Sequence, residues 1–140
     1  MSFSLSRVPD IKFGINEFER LGAHARPLCA NGVAAVVMDG FLAASGLGDT
    51  LVSLLAEVGI TARLYSDFSG EPKLAHLQAA ALSAQGASLV IGIGGGSALD
   101  IAKITACTVA SGEDAMHYAL AANPLPQNAL NKIMIPTTAG

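Results

Sequence analysis

The stretch "GIGGGSALDIAK", Gly92 to Lys103, holds the residues best spaced for chemistry. Three consecutive glycines follow an apolar run, and Ser97, Asp100 and Lys103 come at fixed offsets behind them. Residues without a Cβ, here Gly94, Gly95 and Gly96, let a ligand approach the backbone and allow positive φ. A helix that follows them offers free N–H groups and the positive end of its dipole, a setting suited to a phosphate. Ser97 is placed to cap that helix, and Asp100 three residues on completes a capping-box pattern. The standard fingerprints do not fit. G-x-G-x-x-G needs a glycine where Ser97 stands, and no P-loop lysine is present because Lys103 lies inside the helix. A glycine turn, a capped helix and an i, i+3 pair between Asp100 and Lys103 serve equally well as scaffold. At this level both readings stand.

A second group adds to the first. Asp39 ends another apolar run and precedes Gly40. A carboxylate there can accept hydrogen bonds from both ribose hydroxyls of an adenosine; it can also be an ordinary Asp-Gly turn residue. With the glycines, it supplies the parts of a dinucleotide site, carried on different loops from the usual order.

The elements that must position these groups alternate along the chain. Val33–Met38, Thr61–Ser66, Ser88–Ile93 and Lys132–Pro136 read as strands, continuous in apolar character as for strands covered on both faces. "DTLVSLLAEVGI" reads as a helix with Asp49 at its N-cap and a stop at Gly59. "PKLAHLQAAALSAQG" reads as a second, with Pro72 in its first turn and an end at Gly86. "SALDIAKITACTVA" is a third, a short helical stretch follows near residues 113–121, and "NPLPQN" is a loop. Alternation of this kind predicts right-handed parallel crossovers, with ligand loops beyond residues 38, 70, 93 and 135.

Bulk properties narrow the classes. The 140 residues suit one domain. They are 51% apolar and 14% charged, a low charge that fits a domain with one face covered by something else. A net charge of −3 without a basic cluster argues against nucleic acid, and no apolar run is long enough for a membrane span. No secretory signal is evident, so cytoplasm is the expected location. Cys29 and Cys107 show no metal-ligand spacing, and neither do His24, His76 and His117.

"GGGSALDIAK" resembles the G-G-G-S-x-x-D-x-A-K signature of the iron-containing (group III) alcohol dehydrogenases, relatives of glycerol dehydrogenase and dehydroquinate synthase. "IPTTAG" resembles the opening of that family's P-T-T-A-G-T-G-S-E motif, while "IKFG" and "GEPK" fall where it has F-G and G-x-P. The resemblance runs the length of the chain. It implies an α/β, Rossmann-like parallel sheet with helices on both faces, forming a dinucleotide-binding domain over residues 1–140. By position it assigns the pyrophosphate to Gly95, Gly96 and Ser97, and the adenosine ribose to Asp39. Thr137 and Thr138 would hydrogen-bond the cofactor, Asp100 and Lys103 match signature residues near its nicotinamide half, and Glu71 is an adenine-side candidate.

Family members are more than twice as long. Their C-terminal helical domain holds a divalent metal, normally iron, through an aspartate and three histidines, and those positions are absent from this chain. The expectation is therefore a cofactor domain that binds NAD, with NADP as the alternative, and that has no catalytic or metal-ligating residue of its own. The parent would transfer hydride between a small alcohol and its aldehyde or ketone as a homo-oligomer. Two rivals differ in class: a stand-alone nucleotide-binding module, and a lyase resembling dehydroquinate synthase.

Overall fold

The computed structural model describes residues 9–118 and 123–138. Four strands form one sheet: β1 (Val33–Met38), β2 (Thr61–Tyr65), β3 (Leu89–Gly94) and β4 (Asn131–Pro136). Their spatial order is β2-β1-β3-β4, and every neighbouring pair is parallel. Six α-helices are described: α1 (Leu21–Ala25), α2 (Gly40–Ala44), α3 (Leu47–Ala56), α4 (Leu74–Ser83), α5 (Gly96–Ser111) and α6 (Ala115–Tyr118). The remainder of the helical stretch expected to residue 121, and the last two residues of "IPTTAG", lie outside the described residues.

Strand alternation divides the core into two layers. Ala34, Val36 and Met38 of β1 face one side, with Leu89, Ile91 and Ile93 of β3 and Leu51 and Leu55 of α3. Ala35, Val37 and Val90 face the other, against Ala80 of α4, Ala84 at its C-cap, and Ala98, Ile101, Ala102 and Ala106 of α5. Helices therefore cover both faces, and the α5 residues follow the spacing of one helical stripe. Each fully buried Val, Leu or Ile contributes about 1.5–3 kcal/mol. Gly92 sits mid-strand for a steric reason: a Cβ there would lie 2.7 Å from Ala102 Cβ and 3.1 Å from Met134 Sδ. This glycine sets how closely α5 can pack on the sheet.

The expected strands and long helices are present, with corrections at their starts. Gly46, at φ 90, turns the chain from α2 directly into α3. Asp49 therefore lies inside the first turn of α3 and is not its N-cap. Pro72 precedes Lys73, the N-cap of α4, and so stands outside the helix. Helix α2 was not anticipated; Asp39 caps it, accepting from Leu42 N–H through Oδ1 at 2.8 Å.

Candidate functional site

The connection after β1 runs to one side of the sheet and the connection after β3 to the other, as the strand order requires. A crevice is left beyond the C-terminal ends of these two neighbours, which is where open α/β sheets hold ligands. Met38 pairs with Ile93, so Asp39, the first residue past β1, lies beside Gly94, the last residue of β3.

The glycine run is tighter here than the sequence implied. Gly94 completes β3 and Gly96 begins α5, so only Gly95 links strand to helix. Gly94 has φ +141, a conformation side chains rarely adopt, and a Cβ on it would lie 3.0 Å from Ala98 Cβ and 3.7 Å from Asp39 Oδ2. A Cβ on Gly96 would meet nothing within 4 Å. The backbone there borders open space.

Ser97 is not the N-cap. Gly95 occupies that position in extended conformation, and no side chain caps the helix. The capping box expected of Ser97 and Asp100 is therefore absent; because the N-cap falls two residues earlier, at Gly95, Ser97 is already the second residue of α5. The first N–H groups of a helix have no intrahelical acceptor. Among the described residues they also lack a side-chain one at α5, beside a space that none of those residues fills.

Two more expected residues join this point. Thr137 N–H donates to Gly94 O at 2.9 Å, continuing the β3–β4 ladder past its last strand pair. Thr138 Oγ1 stands 3.8 Å from the Cβ position of Gly95. Asp39, Gly94, Gly95, Gly96, Ser97, Thr137 and Thr138 thus share one end of the sheet. Asp100 and Lys103 do not reach the loop with any hydrogen bond among the described residues. They form an exposed ion pair at 3.4 Å, further along α5. Glu71 is exposed in the segment after β2.

A cleft of about 480 Å³ adjoins the crevice on the β2 side, lined by Gly40, Phe41, Ser66, Asp67, Phe68, Ser69, Lys73 and His76. Its floor is tied by Gly40 N–H donating to Phe68 O at 3.2 Å. The sequence reading missed Phe41, Lys73 and His76 here; an apolar pair directly after Asp39-Gly40 was the available signal for α2 and its exposed ring. Among the described residues, no three His, Cys, Asp or Glu side chains converge on a common point. This part of the chain does not fit the iron of the family, whereas the open glycine cradle fits a phosphate group.

The family model for iron-containing alcohol dehydrogenase matches residues 9–140. The chain belongs to that family, whose members are oxidoreductases. It is 37% identical over 130 residues to long-chain-alcohol dehydrogenase 1 of Geobacillus thermodenitrificans, covering 90% of this chain and 31% of that protein. It is 37% identical over 109 residues to a sulfoacetaldehyde reductase of Bilophila wadsworthia, covering 76% of this chain and 28% of the relative. In fold it superposes, with a TM-score of 0.85 at 24% identity, on the sulfoacetaldehyde reductase of Bifidobacterium kashiwanohense in complex with NAD+. That match covers all of this chain and 37% of the other. The chain thus spans about a third of the length of the relatives it matches.

Proposed function

We propose that the chain is the dinucleotide-binding domain of an NAD-dependent oxidoreductase that interconverts an alcohol and its carbonyl compound. One observation carries this: the uncapped N-terminus of α5 opens onto empty space at Gly96, one residue from β3 and beside Asp39. In this reading the backbone N–H groups of Gly96 and Ser97 bind the pyrophosphate. Asp39 Oδ1 is held by the Leu42 N–H, which fixes the carboxylate to meet the ribose hydroxyls. Thr137 and Thr138 bound the nicotinamide side, and the exposed Glu71, Asp100 and Lys103 flank the site. A nicotinamide dinucleotide, when bound, supplies the hydride chemistry.

The relatives support the reaction class, being a long-chain-alcohol dehydrogenase and a sulfoacetaldehyde reductase, one of their kind in complex with NAD+. The charge of Asp39 disfavours a 2′-phosphate, so NAD is preferred to NADP. The family's iron belongs to residues outside those described, and the working enzyme is a cytoplasmic homo-oligomer.

The test is a calorimetric titration of the chain with NAD+ and with NADP+, followed by an alcohol-oxidation assay with added iron or zinc. Weak binding with NAD+ ahead, and no turnover, is the expected result, because small-molecule sites bury most of a ligand and part of this one is open. Absence of binding by either dinucleotide overturns the reading. Metal-dependent turnover by these residues alone overturns the placement of the metal elsewhere.

A further inference from the structure

We propose that Phe41 is the base-stacking residue of this site, its ring receiving the adenine in the cleft between the C-terminal ends of β1 and β2. The inference rests on the dinucleotide reading above and names the group that recognises one end of the ligand.

Phe41 is 84% exposed although it is a large aromatic residue beside a hollow. The neighbouring Leu42 turns inward and packs against the core. Helix α2 therefore presents Phe41 outward on a frame held by the Asp39 cap and the Gly40–Phe68 hydrogen bond. The same cleft is also lined by a pair of flat groups, Phe68 and His76, with ring centroids 6.1 Å apart. Of that pair, Phe68 is buried and His76 partly so, and the imidazole Nδ1 already accepts from Lys73 N–H at 3.1 Å. Phe41 is the ring left open for a planar partner.

Strand order says which end of a dinucleotide reaches it. Pyrophosphate belongs over the β3 loop and a ribose over Asp39 at the end of β1, one strand spacing of about 4.8 Å away. Another step in the same direction reaches the cleft between β1 and β2, while the opposite direction leads to β4. The base attached to the Asp39 ribose therefore arrives at Phe41. A purine face on an aromatic ring is a stacking contact that tolerates any base edge.

Removing such a ring costs roughly five- to hundredfold in affinity. Titrating the chain and its Phe41→Ala variant with NAD+, AMP and nicotinamide mononucleotide reads this directly. Phe41→Ala should weaken NAD+ and AMP by that factor and leave nicotinamide mononucleotide unchanged. Phe41→Trp should keep the affinity, and the new indole, in a chain without tryptophan, should lose emission when AMP is added. Equal weakening of AMP and nicotinamide mononucleotide, or unaltered AMP binding, overturns the inference; the second result would point to another stretch of polypeptide as the partner of Phe41. NAD+ binding that Phe41→Ala leaves intact overturns this inference alone. Failure of the unaltered chain to bind NAD+ overturns the dinucleotide reading and this inference with it.

Discussion

At the N-terminal end of the sheet, Asn31 uses its side chain three times. Its Nδ2 donates to Gly86 O at 2.8 Å, and its Oδ1 accepts from Val33 N–H at 3.0 Å and from Ser88 Oγ at 2.7 Å. Asn131, at the start of β4, donates to Leu28 O at 3.0 Å. At the C-terminal end of the same sheet, α5 begins without a side-chain cap and Gly96 borders open space. Both ends carry polar residues on tight loops after or before the same strands. One end closes its hydrogen bonds within the chain, and the other leaves donors and a cavity for something else. The contrast separates scaffold from site better than residue type does, because serine and glycine occur at both.

The largest effect should come from filling the open end. Gly96→Val places a branched side chain where nothing stands within 4 Å, so the fold should lose less than about 1 kcal/mol. The same side chain blocks the backbone donors from an anion. Losing two charge-assisted hydrogen bonds, each about 1.5–3 kcal/mol, predicts at least a hundredfold weaker binding of NAD+. Calorimetry and thermal melting on the same variant measure both quantities. A melting point that collapses, or affinity that persists, removes the distinction between the two ends.

Asp39 belongs to both sides of the contrast, since it caps α2 and faces the crevice. Its two roles can be separated by a pair of variants. Asp39→Asn keeps a capping oxygen, whereas Asp39→Ala loses it at about 1 kcal/mol. Both remove the charge, and like charges brought together cost several kcal/mol. NADP+ should therefore gain on NAD+ by about tenfold or more in each, while only the alanine variant melts earlier. An unchanged ratio of dissociation constants would leave Asp39 as a cap alone.

At the closed end, Asn31→Ala should cost about 1–2 kcal/mol, moderated by the exposure of the side chain, and leave NAD+ binding untouched. Chemical denaturation with a parallel titration checks it. A binding defect without loss of stability would show that this end, too, serves a ligand.

Much of this was legible before any coordinates. The β1 and β3 runs and the helix after "GIGGG" follow from apolar continuity and glycine punctuation, which are local signals. Asp39 and the glycines were legible as parts, but their adjacency comes from the pairing of β1 with β3, a contact 55 residues apart in sequence for Met38 and Ile93. The starts of helices were misread where glycine competed with a side-chain cap. Asp49 and Ser97 each looked like the cap, yet Gly46 and Gly95 hold the chain in conformations that start the helix earlier. Phe41 was invisible for another reason: a lone aromatic after a turn carries no period, and only the cleft gives it meaning.

Between the two ends lies a polar atom that serves neither. Thr105 Oγ1 is fully buried in α5 with no hydrogen-bond partner among the described residues. Thr105→Val keeps the shape and removes the unpaired hydroxyl, so the chain should gain about 1 kcal/mol. Denaturant unfolding reads the gain. A loss instead would mean that the hydroxyl has a partner, and that the interior also takes part in the polar arrangement.

The smallest effect appears only at alkaline pH and asks where the scaffold stops at the open end. Tyr65 ends β2, stacks on Phe68 with centroids 5.9 Å apart, and donates from Oη to Asp67 O at 3.2 Å. Burial, and then the negative charge of Asp67, push its phenol above the ordinary value of 10.0. The folded chain therefore holds this proton more tightly than the unfolded chain does. Its contribution is complete below the unfolded value and is lost as pH rises through the folded one, because the unfolded state releases its proton first. Cys107 shifts the same way, mainly through burial and against the opposing pull of Lys132. It is unchanged in Tyr65→Phe, so the difference between the two proteins isolates the phenol. Melting curves from about pH 8 to about pH 11 bracket the transition. Tyr65→Phe should lose stability less steeply over the upper half of that range, after a small constant loss from the missing Asp67 hydrogen bond. Parallel curves would mean that Tyr65 ionises as freely in the fold as out of it, which would extend the open end of the sheet down to the last residue of β2.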